Sequence, residues 1–201
     1  MKVLNLYAGI GGNRKLWKNV EVTAVENNKE IAKIYKDFFP KDKVVIADAH
    51  QYLLDHYKEF DFIWSSPPCP THSRIRIHCA VARGQNKAIY PDMKLYEEIL
   101  LLKGYFKGKW VVENVISWYE PLIKPYIYKE HYYWSNFIIN GKKNAFRGHN
   151  AGISKLEQLK GFDLSEYKIN SKEKILRNCV EPESGLHIFN MAFKQVQETL
   201  Q

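Results

Sequence analysis

A cysteine follows two prolines in the stretch from Ser66 to Arg74, which reads Ser-Pro-Pro-Cys-Pro-Thr-His-Ser-Arg. Paired prolines fix backbone torsions and forbid a helix, so we expect Cys69 on a stiff loop. The neighbouring His72, Arg74 and Arg76 favour the thiolate, which is the nucleophilic form of cysteine. The stretch therefore predicts a presented nucleophile, although a buried structural cysteine is the alternative.

A zinc site of Cys69, His72, His78 and Cys79 matches no common finger spacing, so we expect no metal.

Three carboxylates, Glu26, Asp48 and Glu113, each follow a short apolar run. A carboxylate in the position of Glu26 can accept hydrogen bonds from both hydroxyls of a ribose, and Asp48 can bind an adenine amino group. The alternatives are solvated acids at these two positions and a helix N-cap at Glu113. Because the carboxyl ends of parallel strands meet at one edge of a sheet, we expect the three acids and Cys69 to gather there.

The elements that position these residues alternate between strands and helices, as in a parallel α/β sheet covered on both faces. The predicted strands are Val3 to Tyr7, Glu21 to Val25, Val44 to Ile46, Phe60 to Trp64, Trp110 to Val112 and a later strand or hairpin arm, His131 to Asn140. A first helix is predicted to begin over Arg14 to Lys18. The other predicted helices are Lys29 to Phe39, Gln51 to Tyr57, Asp92 to Phe106, Ser154 to Gly161 and Pro182 to Leu200. Asp92 and Ser154 are the predicted N-caps of the helices that they begin.

A glycine-rich loop, Tyr7-Ala-Gly-Ile-Gly-Gly12, follows the first strand. Gly9 and Gly11 remove side chains where a backbone must approach a ligand closely. A tight structural turn also explains such glycines, but the position of the loop favours a cofactor site.

The composition predicts one globular domain over residues 1–201, in a chain that carries a formal net charge of +8. We expect no membrane span, because no apolar run approaches the roughly 20 residues that one needs. Three cysteines and an N-terminus unlike a signal peptide predict a reducing, cytoplasmic location. The positive charge favours a polyanionic partner.

Taken together, the chain resembles the cytosine-5 DNA methyltransferases that use S-adenosylmethionine. Six segments carry the resemblance, in the order of that family: Leu6 to Gly12, Val25-Glu26 with Asp48, Ser66 to Cys69, Glu113 to Val115, Leu159 to Phe162 and Arg177 to Pro182. The resemblance implies a Rossmann-like, mostly parallel mixed sheet of seven strands. It also implies cofactor contacts from Tyr7, Gly9, Gly11, Glu26, Asp48, Pro67, Asn178 and Val180.

The chemistry implied by the resemblance is covalent. Cys69 attacks carbon 6 of a flipped-out cytosine, Glu113 holds and protonates ring nitrogen 3, and carbon 5 takes the methyl group. Lys129 and His131 fall where the family has two base-positioning arginines. The expected partner is duplex DNA, with contacts from Arg74, Arg76, Arg83, Lys87 and Arg147. A solvated, flexible loop is the alternative for the acid-free stretch from Thr71 to Pro91.

The family inserts a large recognition region where this chain has only a short basic loop, at about residues 140–153. Sequence readout must then be minimal, come from the loops around Arg74 and Arg147, or belong to a partner chain. RNA or single-stranded nucleic acid is an alternative substrate. A non-catalytic DNA-binding or regulatory subunit that retains the cofactor fold is the other alternative.

Overall fold

A computed structural model describes residues 1–74, 83–84, 87, 89–141 and 151–193 of the chain. Seven strands form one mixed sheet in the order β3-β2-β1-β4-β5-β7-β6. They are β1 Lys2–Leu6, β2 Glu21–Val25, β3 Lys43–Val45, β4 Phe62–Ser65, β5 Lys109–Val115, β6 Tyr126–Tyr128 and β7 His131–Ser135. The first five strands run parallel, and β7 is antiparallel to both of its neighbours. The predicted mixed α/β sheet is confirmed.

Helices cover both faces of this sheet. They are α1 Lys29–Phe38, α2 Ala49–His56, a 3-10 turn at Tyr57–Glu59, α3 Lys94–Tyr105, α4 Ile153–Lys160, α5 Lys172–Asn178 and α6 Pro182–Phe193. Leu53 of α2 and Ile99 of α3 pack on one face, whereas Ile188 of α6 packs on the other. All four residues of β4 are therefore buried, as expected for a central parallel strand.

The prediction of a helix at Arg14 to Lys18 is wrong, because this segment folds as turns. The Arg14 guanidinium donates to the Trp17 carbonyl and forms an ion pair with buried Asp42. The Trp17 ring lies in the core, stacked on Phe189, and its indole N–H donates to the Gly185 carbonyl. These tertiary contacts hold the chain in turns despite the good helix propensities of its residues.

Several predicted boundaries move. Asp92 lies one residue before the observed N-cap, Met93, and α4 begins after Gly152 instead of being capped by Ser154. The strand predicted from His131 ends at Ser135, where the serine hydroxyl donates to the Phe137 carbonyl. Helix α5 was not predicted.

The part of the chain described above contains no helix long and apolar enough to cross a membrane. Within the same ranges, no three His, Cys, Asp or Glu side chains are grouped so that they could hold a metal ion. His78 and Cys79, two members of the zinc alternative, lie outside the described residues.

Candidate active site

One row of strand residues defines the edge of the sheet at which the predicted site lies. Val45, Val25, Leu6, Ser65 and Val112 are register partners across β3, β2, β1, β4 and β5. The next residue along four of these strands is a member or immediate neighbour of the predicted site: Glu26, Tyr7, Ser66 and Glu113. The predicted convergence therefore has a geometric basis. Glu113 lies within β5, because that strand continues beyond the end of β4 to Val115.

The loop that carries Cys69 is fastened to the chain that follows Glu113. The side chain of Asn114 donates to the carbonyl of Pro67 over 2.9 Å, and both residues are buried. Further along the loop, the backbone N–H of Trp118 donates to the His72 carbonyl over 3.1 Å. These bonds give the nucleophile loop and the Glu-Asn-Val strand a fixed relative position.

The loop is also closed from the side of α3. The Thr71 hydroxyl accepts from the backbone N–H of Asp92 over 3.0 Å. The ring of His72 is 1% exposed, and its Nδ1 lies 2.6 Å from the hydroxyl of Tyr119. The carbonyl of Cys69 accepts from the backbone N–H groups of His72 and Ser73. The chain directly after Cys69 therefore forms a hydrogen-bonded turn that packs against the rest of the protein.

The Cys69 thiol is partly buried, and burial raises its pKa. The negative charge of Glu113 raises the pKa further. A backbone hydrogen bond and the charge of Lys174 act in the opposite direction. The expectation that His72 and Arg74 favour the thiolate is wrong, because the pKa of the thiol is raised, burial lowers the pKa of His72, and Arg74 is exposed. Arg76, the third cation, lies outside the described residues.

Glu113 is 7% exposed, and its Oε1 lies 3.5 Å from Nε2 of His131 on the adjacent strand β7. His131 is thus beside the carboxylate that was predicted to hold the base. Lys129, the other predicted base-positioning residue, forms an ion pair with Glu181. Burial opposes ionisation of Glu181, but this partner holds the pKa of its carboxyl below the ordinary value.

The glycine loop is held by Glu26. One carboxylate oxygen accepts from the backbone N–H of Gly9 over 3.1 Å, and the other accepts from that of Asn28 over 2.9 Å. Gly9 has a φ of +54°, and a Cβ added there meets nothing within 4 Å. The backbone of Gly9 therefore faces open space in a conformation that favours glycine.

The other two glycines of this loop serve packing. A Cβ on Gly11 would lie 2.4 Å from the ring of Phe39, and one on Gly12 would lie 2.2 Å from the carbonyl oxygen of Val180. Gly12 thereby allows the predicted cofactor segment around Val180 to lie against the loop.

With this geometry established, comparison with known proteins identifies the family. The sequence model of the C-5 cytosine-specific DNA methylases matches residues 1–115. The chain belongs to this family. The match includes the glycine loop, Glu26, Asp48, the Cys69 loop and Glu113. No curated protein sequence matches the chain.

Solved structures similar to this methyltransferase overlap it only in part. The DNMT2 of Spodoptera frugiperda is 25% identical with a TM-score of 0.38, over 57% of this chain and 35% of that one. A putative methyltransferase from Escherichia coli, yhhF, is 14% identical with a TM-score of 0.43, over 67% and 73% of the two chains. An S-adenosylmethionine-dependent methyltransferase from Agrobacterium tumefaciens is 16% identical with a TM-score of 0.43, over 59% and 40%.

The cofactor of this methyltransferase is S-adenosylmethionine, and the residues at the edge of the sheet fit it. The open space at Gly9 and the half-buried carboxylate of Glu26 offer a cradle and acceptors for a ribose. Asp48 is exposed in the connection between β3 and α2, where its Oδ1 caps α2 by accepting from the Gln51 N–H over 2.9 Å.

Helix α5 supplies a residue that sequence analysis missed. Lys174 lines a cavity of about 400 Å³ with Ser171, Glu173, Arg177 and the predicted cofactor residue Asn178. The positive charge of Lys174 lowers the pKa of the Cys69 thiol. The sequence of α5 gave little signal, since Leu176 is the one buried side chain among its seven residues.

The predicted nucleic-acid contacts are described in part. Arg74, Arg83 and Lys87 are exposed. Arg76 and Arg147 lie outside the described residues, as does most of the basic loop between residues 140 and 153.

Proposed function

We propose that this methyltransferase methylates carbon 5 of cytosine in DNA through a covalent adduct with Cys69. The observation that carries the proposal is the bond between Asn114 and the Pro67 carbonyl. It joins the loop that bears the thiol to the strand that bears Glu113, and the charge of Glu113 acts on that thiol. Activation of a pyrimidine ring requires a nucleophile and a carboxylate in a fixed arrangement, here at the edge of the sheet where the proposed cofactor residues lie.

In this mechanism the Cys69 thiol gives its proton to the Glu113 carboxylate, and the sulfur forms a bond to carbon 6 while Glu113 holds ring nitrogen 3 and passes that proton to it. Carbon 5 becomes nucleophilic as electrons move into the ring. When bound, S-adenosylmethionine would supply the methyl group that carbon 5 takes, with S-adenosylhomocysteine as the leaving group. Loss of the carbon 5 proton and cleavage of the bond between sulfur and carbon 6 then restore the aromatic ring, nitrogen 3 returns its proton to Glu113, and the sulfur is freed.

The raised pKa of the Cys69 thiol has a place in this sequence. A protonated thiol is protected from adventitious reaction, and the proposal requires that the proton leaves when the base is bound. Burial of Glu113 beside His131 suits a carboxyl group that must hold a ring nitrogen and not a water molecule.

Cofactor contacts are proposed from Tyr7, Gly9, Gly11, Glu26, Asp48, Pro67, Asn178 and Val180. For Gly11 the role is indirect, through its packing on Phe39. DNA contacts are proposed from Arg74, Arg76, Arg83, Lys87 and Arg147, and base positioning from His131 and Lys129. We further propose that residues 1–201 form one methyltransferase domain, with target recognition in the basic loops or in a partner chain.

The test uses nucleic acid that contains 5-fluorocytosine. Fluorine replaces the carbon 5 proton and cannot be abstracted by a base, so the elimination step is blocked and the covalent adduct persists. The enzyme is incubated with S-adenosylmethionine and a random-sequence pool of duplex DNA, of single-stranded DNA or of RNA. We expect a denaturant-resistant adduct on duplex DNA, located at Cys69 by peptide mass spectrometry.

Cys69→Ser should form no adduct. Cys179→Ser should still form it, because the Cys179 thiol that it removes is buried, and burial raises its pKa to about 11. An adduct on RNA or single strands alone would move the substrate to the first alternative. Binding of DNA with no adduct on any pool would favour the non-catalytic alternative and refute the covalent route.

A further inference from the structure

A carboxylate in the core of the protein contacts two segments of the candidate site. Glu98 lies in α3 and is 0% exposed. Its Oε1 accepts from the Tyr7 hydroxyl over 2.7 Å and lies 3.1 Å from Nδ1 of His50. Its Oε2 accepts from the Ser65 hydroxyl over 2.5 Å. Both oxygens are thus engaged by side chains from three other elements of the fold.

Two of these partners adjoin the segments that the proposed chemistry uses. Tyr7 follows β1 and opens the glycine loop, with a φ of +53° that is unusual for a tyrosine. Ser65 is the last residue of β4, directly before the loop that carries Cys69. One carboxylate therefore joins the start of the cofactor loop to the start of the nucleophile loop.

Glu98 is the one charged side chain among the buried residues of α3. The other buried positions of α3 are occupied by Leu95, Tyr96, Ile99 and Leu102. A buried carboxylate loses its hydration and is tolerated only when its oxygens are bonded, whereas an apolar side chain of similar volume often gives equal or greater stability. The presence of Glu98 calls for an explanation in terms of what it holds.

We propose that Glu98 is a positioning residue that sets the Tyr7 ring and the Ser65 end of β4 relative to each other. This inference rests on the proposed function, in which Tyr7 contacts the cofactor and Cys69 is the nucleophile. Glu98 acts through these residues and does not itself touch the reacting atoms. Its removal loosens two places in the site at once.

His50 is the third partner and makes the arrangement sensitive to pH. Its hydrogen bond to Glu98 raises the pKa of the imidazole, against burial and the charge of Lys94, which lower it. The Nε2 atom of His50 lies 3.3 Å from Glu97, the exposed neighbour of Glu98. A protonated His50 thus strengthens the hold on the carboxylate.

The experiment compares Glu98→Gln with the matched control Glu97→Gln, one residue earlier in the same helix. Calorimetry with S-adenosylhomocysteine measures cofactor-site affinity, and iodoacetamide with peptide mass spectrometry measures the alkylation rate of Cys69. We expect Glu98→Gln to weaken binding about tenfold or more, as for loss of a hydrogen bond to a charged group. We also expect alkylation of Cys69 to be faster by roughly threefold, because the loop opens more readily. Glu97→Gln should change neither value more than about twofold.

Two further variants divide the effect. Tyr7→Phe should weaken cofactor binding and leave alkylation near the wild-type rate. Ser65→Ala should accelerate alkylation with a smaller effect on binding. If Glu98 had a purely structural role, its substitution would instead lower the melting temperature and leave the cofactor affinity and the Cys69 alkylation rate of the folded molecules unchanged.

The proposal is overturned if Glu98→Gln remains folded and matches Glu97→Gln in both measurements. If Glu98→Gln does not fold, Tyr7→Phe and Ser65→Ala decide the matter, and wild-type behaviour of both overturns the proposal equally. Neither readout requires nucleic acid. A failure here is therefore distinct from a failure to form the 5-fluorocytosine adduct.

Discussion

Asn114→Ala tests the bond that joins the two halves of the candidate site. The variant loses the donor to the Pro67 carbonyl and the acceptor for the Val115 N–H, both at 2.9 Å. The Pro67 carbonyl is left without this partner in a buried position, and together the two losses should lower the free energy of unfolding by about 2–4 kcal/mol. For a chain of this size that corresponds to a melting temperature lower by roughly 5–15 °C.

The larger effect should be on chemistry. A displacement of about 1 Å in a reacting group can cost on the order of 100-fold in rate, and the Cys69 loop loses its fixed position relative to Glu113. We expect the rate of 5-fluorocytosine adduct formation to fall about 100-fold, measured at a temperature at which the variant is folded.

Asn136→Ala is the matched control. Asn136 bridges two backbone groups at the opposite end of β5, with its amide 2.8 Å from the Gly108 carbonyl and its Oδ1 3.2 Å from the Trp110 N–H. That variant should lose stability but keep an adduct rate within about threefold of wild type. If the two variants lose activity in parallel with their stability, the bond between Asn114 and Pro67 has no special role in catalysis.

Three other perturbations probe the site. Glu113→Gln should move the pH profile of Cys69 alkylation to lower pH, because the carboxylate charge raises the pKa of the thiol; an unchanged profile would contradict the coupling. His50 has a raised pKa, so its stabilising contribution is complete below about pH 6.5 and is lost as the pH rises through the raised value. His50→Gln should accordingly flatten the pH dependence of urea unfolding, and equal slopes for both proteins would refute this. Gly9→Ala should lower the free energy of unfolding by about 1 kcal/mol and weaken cofactor binding. Gly84→Ala, also at a positive φ with open space around the glycine, should leave cofactor binding intact. If both variants bind the cofactor equally well, the open space beside Gly9 is not part of the cofactor site.

The edge of the sheet that carries the site could be predicted because several apolar runs end in a residue that cannot be buried alone. Glu26 follows β2 and Asp48 follows β3 closely, so both acids marked the same edge of the sheet. The error at Arg14 to Lys18 has a different origin. Local propensity favours a helix there, but the ion pair of Arg14 with Asp42 and the burial of Trp17 depend on contacts distant in sequence.

Glu98 shows what pattern alone leaves out. Its position beside Glu97 gives no sign of burial, and nothing in the sequence near it indicates Tyr7, 91 residues earlier in the chain. Lys174 was missed for a similar reason, since the effect of its charge on the Cys69 thiol depends on how distant segments of the chain fold together.

Glu113 sits on a strand that is hydrogen-bonded to β7 on one side, with Tyr133 as its register partner. A carboxylate mounted in this way has little freedom to follow an incoming ring, so the ring must come to it. The sulfur is held in the same frame, because its loop is bonded to the same strand through Asn114. Attempts to change which base is accepted should therefore start from the residues around Glu113, since neither reacting group can move far to meet a differently shaped ring.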